Sequence, residues 1–172
     1  MRPLFPTALE ALLKPSDPQR IAKALSTLQA EFTVARDARH GGYLRQASAV
    51  AAYGHFYGLR TALKTSVLLK ELAPKAPRRL LDLGAGTLGA TIGALHALPS
   101  LETVTAYDRA KPAMAWGADH VRSMRPDLEL NLHGWDAFKD RRPFPKAGLA
   151  IIANVLNEHI RTYARLCGVV LC

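Results

Sequence analysis

The segment Leu80-Leu-Asp-Leu-Gly-Ala-Gly-Thr-Leu-Gly-Ala90 constrains this chain more than any other. Four residues that read as a short buried strand, Leu80 to Leu83, run into a glycine turn. The turn runs into a sequence that starts a helix near Thr87. Gly84 and Gly86 lack a β-carbon, so the backbone can reverse sharply there and come close to a ligand. The first N–H groups of the helix have no intrahelical acceptor and face whatever lies beyond the turn. Asp82 falls just before the turn, at the C-terminal end of the strand, where open α/β sheets bind ligands. The stretch predicts a parallel α/β sheet with a nucleotide-type cofactor site at its first βα turn. A βα turn that binds nothing is the alternative.

The chemistry of the turn can be read further. Gly84-x-Gly86-x-x-Gly89 matches the dinucleotide fingerprint literally. Asp82, two residues before the first glycine, makes the pattern Asp-x-Gly-x-Gly that is typical of S-adenosylmethionine-dependent methyltransferases. A carboxylate in that place favours a ligand carrying an ammonium and repels a pyrophosphate. Asp108 ends the next strand, Glu102-Thr-Val-Thr-Ala-Tyr-Asp108, where a carboxylate can accept hydrogen bonds from both ribose hydroxyls. That second feature suits a nicotinamide dinucleotide and S-adenosylmethionine alike, so only Asp82 discriminates, and an NAD(P)-dependent oxidoreductase stays open as an alternative.

At 172 residues the chain can build one domain with a substantial core and hardly two. No apolar run approaches the roughly 18 residues of a membrane span, and the N-terminus Met-Arg-Pro-Leu-Phe-Pro carries no apolar core or cleavage site of a signal peptide. Cys167 and Cys172 lie close together at the end and make no disulfide framework, which fits a cytoplasmic location. No His/Cys cluster has zinc spacing, so no metal is expected. The net charge of +9 is unevenly spread: residues 1–79 hold 13 Lys/Arg against 5 Asp/Glu, whereas residues 80–172 hold 10 against 9. The positive charge belongs to the N-terminal part, where it suits an anionic partner such as RNA or simply a solvated basic surface.

Taken in order, residues 1–76 read as a basic helical region and 77–172 as an α/β domain. Thr7 to Leu13 suits a short helix. Asp17 is a good N-cap with Pro18 at the first helical position, and Ile21, Leu25, Leu28 and Phe32 give that helix one apolar face ending near Ala35. His40-Gly-Gly42 is a turn. A second helical region runs from Tyr43-Leu44 to about Leu72. Its Tyr53, Phe56 and Tyr57 form an aromatic stripe that either packs in the core or places one tyrosine at a cofactor mouth. Arg45 and Arg60 are candidate phosphate contacts. The prolines of Ala73-Pro-Lys-Ala-Pro-Arg-Arg79 break the helix. Strands and helices then alternate as in a parallel sheet: strands at Leu80–Leu83, Thr103–Tyr107, Leu128–Leu132 and Leu149–Ala153, with helices at Thr87–Leu98, Pro112–Met124 and from Asn157.

The C-terminal ends of such strands line one crevice. The turn with Asp82, then Asp108, then Trp135-Asp136, then Asn154 with Asn157-Glu158 fall along it. Asp136 could bond an adenine amino group and Trp135 could cover the ring; a helix cap and a core residue are the plainer roles. Asn154 ends the fourth strand, where a methyl acceptor would lie, and Asn157 is either a second candidate there or a helix cap. No Asn/Asp-Pro-Pro-aromatic motif for amino methylation of a base follows the fourth strand, no Pro-Cys pair supplies a nucleophile, and no general base stands out. Methyl transfer can proceed largely by alignment of donor and acceptor.

Four pieces in order give the chain a family likeness: Gly42-Tyr-Leu44 with Tyr53 and Tyr57, Arg79-Leu-Leu-Asp-Leu-Gly-Ala-Gly86, Tyr107-Asp-Arg109, and Ala153-Asn-Val-Leu-Asn-Glu158. Over residues 40–160 it resembles the Rsm22 family, methyltransferase-like proteins associated with the mitochondrial small ribosomal subunit and found in bacteria too. The resemblance implies a Rossmann-like class I methyltransferase fold and S-adenosylmethionine as cofactor, for which the candidate binding residues along the crevice are Asp82, Gly84, Ala85, Gly86, Asp108, Arg109, Trp135, Asp136 and Asn154. It also implies a role on rRNA in small-subunit assembly or translation, either as an enzyme or as a non-catalytic assembly factor. Two departures stand out. Leu88 occupies the place of the family's third glycine, where its bulk would crowd the methionine end of the cofactor. The family also continues past the fourth strand with further strands and a cysteine-rich segment, so the chain reads as C-terminally truncated. The fourth strand would then be an apolar sheet edge, which invites self-association.

Overall fold

The fold is described from a computed structural model, which covers residues 15, 17–34, 44, 46–137 and 139–153. The expected helix at 7–13, the turn at 40–42, Arg45, and everything from Asn154 onward lie outside the described residues.

Four strands, β1 Arg79–Leu83, β2 Thr103–Asp108, β3 Glu129–Gly134 and β4 Leu149–Ile152, form one sheet in the order β3-β2-β1-β4. Every pairing is parallel, with Leu80 opposite Val104 on one side and Leu149 on the other. The chain thus builds outward from β1 to β3 and then returns to the far side of β1. That reversal puts a topological switch point at the C-terminal ends of β1 and β4. The four strands and the helices between β1 and β3 lie where the alternation of the sequence puts them, with ends shifted by a residue or two. This is a Rossmann-like α/β fold.

The helices follow from local chemistry. In α1, Pro18–Val34, the Asp17 Oδ1 accepts the Arg20 N–H at 2.9 Å, satisfying one of the orphan donors of the first turn. The second helical region is α2, Ala47–Tyr53, a single π-helical turn over Gly54–Gly58, and α3, Leu59–Leu72. Ala73, at φ 43°, ends α3 in the left-handed conformation. Helix α4, Gly89–Ala97, is apolar on every side, and Gly89 through Leu95 are all buried. A helix without a polar face must be covered all round; α4 lies beneath the sheet with α3 and α5, Lys111–Met124, packed against it. In α5, Ala113, Met114, Gly117, Ala118 and Val121 repeat at helical spacing and are buried.

The main core joins this helical layer to one face of the sheet: Leu80, Val104 and Ala106 meet Leu88, Ile92, Leu95, Ala118 and Val121, with Ala62 and Leu69 of α3 in the same cluster. Alternation sends Leu81 and Leu83 to the opposite face, where they pack with Tyr107 and Trp135. Among the described residues no helix joins β3 to β4 there. The connecting segment crosses instead, and its Phe144 ring stands edge-on to Tyr107 and Trp135, with centroids 5.2 and 5.5 Å away. Among the described residues β4 has β1 alone beside it. The apolar run Ala150-Ile-Ile-Ala153 reads in sequence as buried on both faces, but Ala150 and Ile152 are exposed, the latter at 51%. No described helix is long and apolar enough to cross a membrane.

Candidate functional site

The glycine turn joins β1 to α4 at the switch point. Gly84 and Gly86 have φ values of 74° and 50°, a region that residues with a β-carbon enter only at a cost. The turn's amides are directed inward. The Gly84 and Ala85 N–H groups both donate to the Tyr107 carbonyl, at 2.7 and 3.1 Å. The Gly86 N–H donates to Asp108 Oδ2 at 2.8 Å. Asp108 Oδ1 accepts the Ala110 N–H at 2.7 Å, and the Asp108 carbonyl accepts the Trp135 N–H at 3.1 Å. One carboxylate therefore ties the end of β2 both to the glycine turn and to the start of α5. Each of its oxygens keeps a second lone pair for a further donor, and the residue is only half-buried.

Leu88 is also left-handed, at φ 58°. Its N–H donates to the Ala85 carbonyl at 2.7 Å, and its side chain is 0% exposed within the main core. By its place in the sequence this leucine is expected to crowd the crevice. The left-handed backbone instead turns the side chain down between the helices and the sheet.

Asp82 lies under the turn. It is 0% exposed, on the same face of β1 as Leu80. Its Oδ2 accepts the Thr91 hydroxyl at 2.7 Å, and the Thr91 N–H also bonds to the carboxylate. Asp82 thus anchors the first turn of α4 to the strand, where negative charge suits a helix N-terminus. Its Oδ1 has no hydrogen-bond partner. Burial pushes its pKa from 3.8 up to about 6, against the lowering effect of the Thr91 bonds; the charge of Asp108 adds a further upward push.

Along the edge beyond Asp108, Trp135 packs on Leu81, Leu83 and Tyr107, on the face of the sheet away from α4. Its Nε1 is buried without an acceptor. Asp136 begins a tight turn: its carbonyl accepts the Lys139 and Asp140 N–H groups, and its own N–H donates to Asp140 Oδ2 at 2.9 Å. Arg109 is exposed directly after Asp108. The Arg60 guanidinium lies over the Phe56 ring, 5.4 Å from its centroid. The structure thus brings the turn, Asp108, Arg109 and Asp136 to one edge, places Asp82 beneath it, and puts Trp135 into packing. Asn154 and Asn157 lie outside the described residues.

A cleft opens between the turn and the second helical region. Gly84, Ala85 and Gly86 form its floor, Ala153 its end, and Tyr53, Gly58 and Thr61 its far wall. Sequence reasoning missed Gly58 and Thr61. Gly58 lies against Gly89, the third glycine of the fingerprint: a β-carbon on Gly89 would stand 2.5 Å from the Gly58 carbonyl oxygen. Position 89 must therefore be glycine for the helices to approach this closely. Two glycines four residues apart within an aromatic helical pattern were the available signal.

No family profile and no curated protein sequence matches the chain. Among solved structures, PigF with SAH superposes with a TM-score of 0.52 at 16% identity, over 80% of this chain and 42% of that one. The mitomycin 7-O-methyltransferase MmcR gives 0.51 at 18% identity, over 87% of this chain and 49% of that one. The chain thus spans less than half the length of either structure. At these identities the likeness is one of fold: the sheet and helices described above are arranged as in PigF and MmcR.

Proposed function

We propose that the chain is the cofactor-binding part of a methyltransferase that uses S-adenosylmethionine. The observation that carries this is the glycine turn. Its Gly84, Ala85 and Gly86 amides are spent on Tyr107 and Asp108, so they do not face outward as a cradle for a pyrophosphate. A carboxylate stands beside the turn and another beneath it. Two like charges 4 Å apart near a protein surface repel by about 4 kcal/mol, which disfavours a dinucleotide here and favours a ligand with a net positive end. Asp108 suits a ribose diol, since its oxygens retain lone pairs toward the open edge. S-adenosylmethionine supplies an activated methyl group when bound. The residues of this chain contribute binding and alignment, which suffice for much of the rate of such a transfer.

The test is calorimetric titration of the chain with S-adenosylmethionine, with NADH as comparison and Asp108→Ala as control, checked by circular dichroism. Micromolar binding that is lost in a folded variant supports the reading. Tighter binding of NADH would replace it with the oxidoreductase alternative, and no binding of either would overturn it.

The finer reading is a Rsm22-type protein acting on, or binding, rRNA of the small ribosomal subunit. Its support is the resemblance over residues 40–160 and the excess of 8 positive charges within residues 1–79. Phosphate contacts by such a region make affinity fall steeply with salt. Binding of small-subunit rRNA that stays flat from low to physiological salt would sink this part. Transfer of a labelled methyl group to that RNA separates an enzyme from a non-catalytic assembly factor.

A further inference from the structure

The second helical region is interrupted by a π-helical turn over Gly54–Gly58, in which the Leu59 N–H reaches back to the Gly54 carbonyl. Such turns are rare and need a reason. Both of its glycines are fixed by contact. A β-carbon on Gly54 would collide with the Trp116 ring of α5, and one on Gly58 would lie 2.7 Å from the Thr87 hydroxyl. The turn is therefore gripped at one end by α5 and at the other by the glycine turn of the cofactor site.

The wide turn also changes which residues share a face. Tyr53 and Thr61 are eight positions apart, and in an uninterrupted α-helix they would point about 80° away from each other. Each residue of a π turn advances by less than an α-helical step, and the five of Gly54–Gly58 take up that offset. Tyr53 and Thr61 both line the cleft as a result. The Tyr53 ring stands over Gly86, with its Cε1 4.0 Å from where a β-carbon on Gly86 would be. It is braced by Val50 and Ala113 below and by Tyr57, whose ring centroid is 5.1 Å away.

We propose that the π turn makes the helix before the sheet a second wall of the cofactor site, with the Tyr53 ring and the Thr61 side chain contacting the ligand across the cleft from Gly86. This rests on the methyltransferase reading and names binding residues that the glycine motif does not contain. The ring, which already stands against the turn at Gly86, supplies an apolar flank to the cofactor beside that turn; the threonine hydroxyl supplies a polar contact.

The test measures S-adenosylhomocysteine affinity of the full chain by calorimetry for wild type, Thr61→Val, Tyr53→Leu and Tyr53→Phe, with a thermal melt of each. Thr61→Val preserves shape and is expected to weaken binding about tenfold, the effect of losing one good hydrogen bond. Tyr53→Leu is expected to weaken it by at least as much, and Tyr53→Phe to restore most of it, with the melt of each variant showing that it is folded. Wild-type binding with Thr61→Val and Tyr53→Leu both within twofold of it would overturn the second wall while leaving the cofactor assignment intact. Absence of binding by the wild-type chain would overturn both.

Discussion

Replacing Asp82 by asparagine should remove a cost to folding that grows as pH rises. The carboxyl is fully buried, holds Thr91 through one oxygen and leaves the other without a partner. Burial raises its pKa from 3.8 to about 6. In the unfolded chain the group ionises first, so folding becomes less favourable as pH rises between the two values. Its stabilising contribution is complete below the unfolded pKa and is lost as pH rises through the folded one. The full difference corresponds to about 3 kcal/mol, of which about 1 kcal/mol is already lost by pH 4.5. Asparagine keeps the shape and the acceptor for Thr91 but carries no charge. The stability of Asp82→Asn relative to wild type should therefore rise by about 2 kcal/mol between pH 4.5 and 8. Urea denaturation of both proteins at each pH measures this, and the subtraction cancels groups that titrate alike in both, such as Asp127 and Asp140, whose carboxyls lie below the usual range. A difference that stays constant with pH, or that shrinks toward pH 8, would refute the assignment of Asp82 as a buried carboxylate held at a cost.

Three further outcomes can be checked. Leu88→Gly relieves a left-handed backbone worth about 1–2 kcal/mol but empties a core position worth about 2–5 kcal/mol, so denaturation should show a net loss; a gain would mean the side chain does not anchor the turn. Ala73→Gly, at the left-handed end of α3, touches no site residue and should raise stability by about 0.5–1 kcal/mol, read as an upward shift of the urea midpoint. Self-association through β4 should appear in sedimentation of the wild-type chain and fall in Ile152→Lys, which places a charge on an exposed edge residue; a monomeric wild type with a sharp cooperative melt would contradict it.

What the sequence made legible was local. The strand–turn–helix unit needs only the run from Leu80 to Ala90, and the cap at Asp17 needs only its own first turn. The return of β4 to the far side of β1 is not local, and no single run of sequence carries it. Asp82 was a closer matter. Its position at a strand end suggested a residue facing the ligand, yet the two-residue period that sends Leu81 and Leu83 to one face sends Asp82 to the other, toward α4, where Thr91 receives it. The same applies to Leu88: its bulk was legible, but the direction of the side chain depends on a backbone angle that only the packed turn fixes. The π turn was out of reach for a different reason. Nothing in Gly-His-Phe-Tyr-Gly prefers a wide turn by itself. The turn exists because Trp116 presses on Gly54 while Thr87 and Gly89 press on Gly58, two contacts from elements that are distant in sequence and must be met at once. A regular α-helix would rotate Tyr53 away from Thr61; the wide turn brings both to the cleft. The wall of the cleft opposite the glycine motif is thus a product of tertiary packing, and its residues emerge only when the helices are placed against the turn.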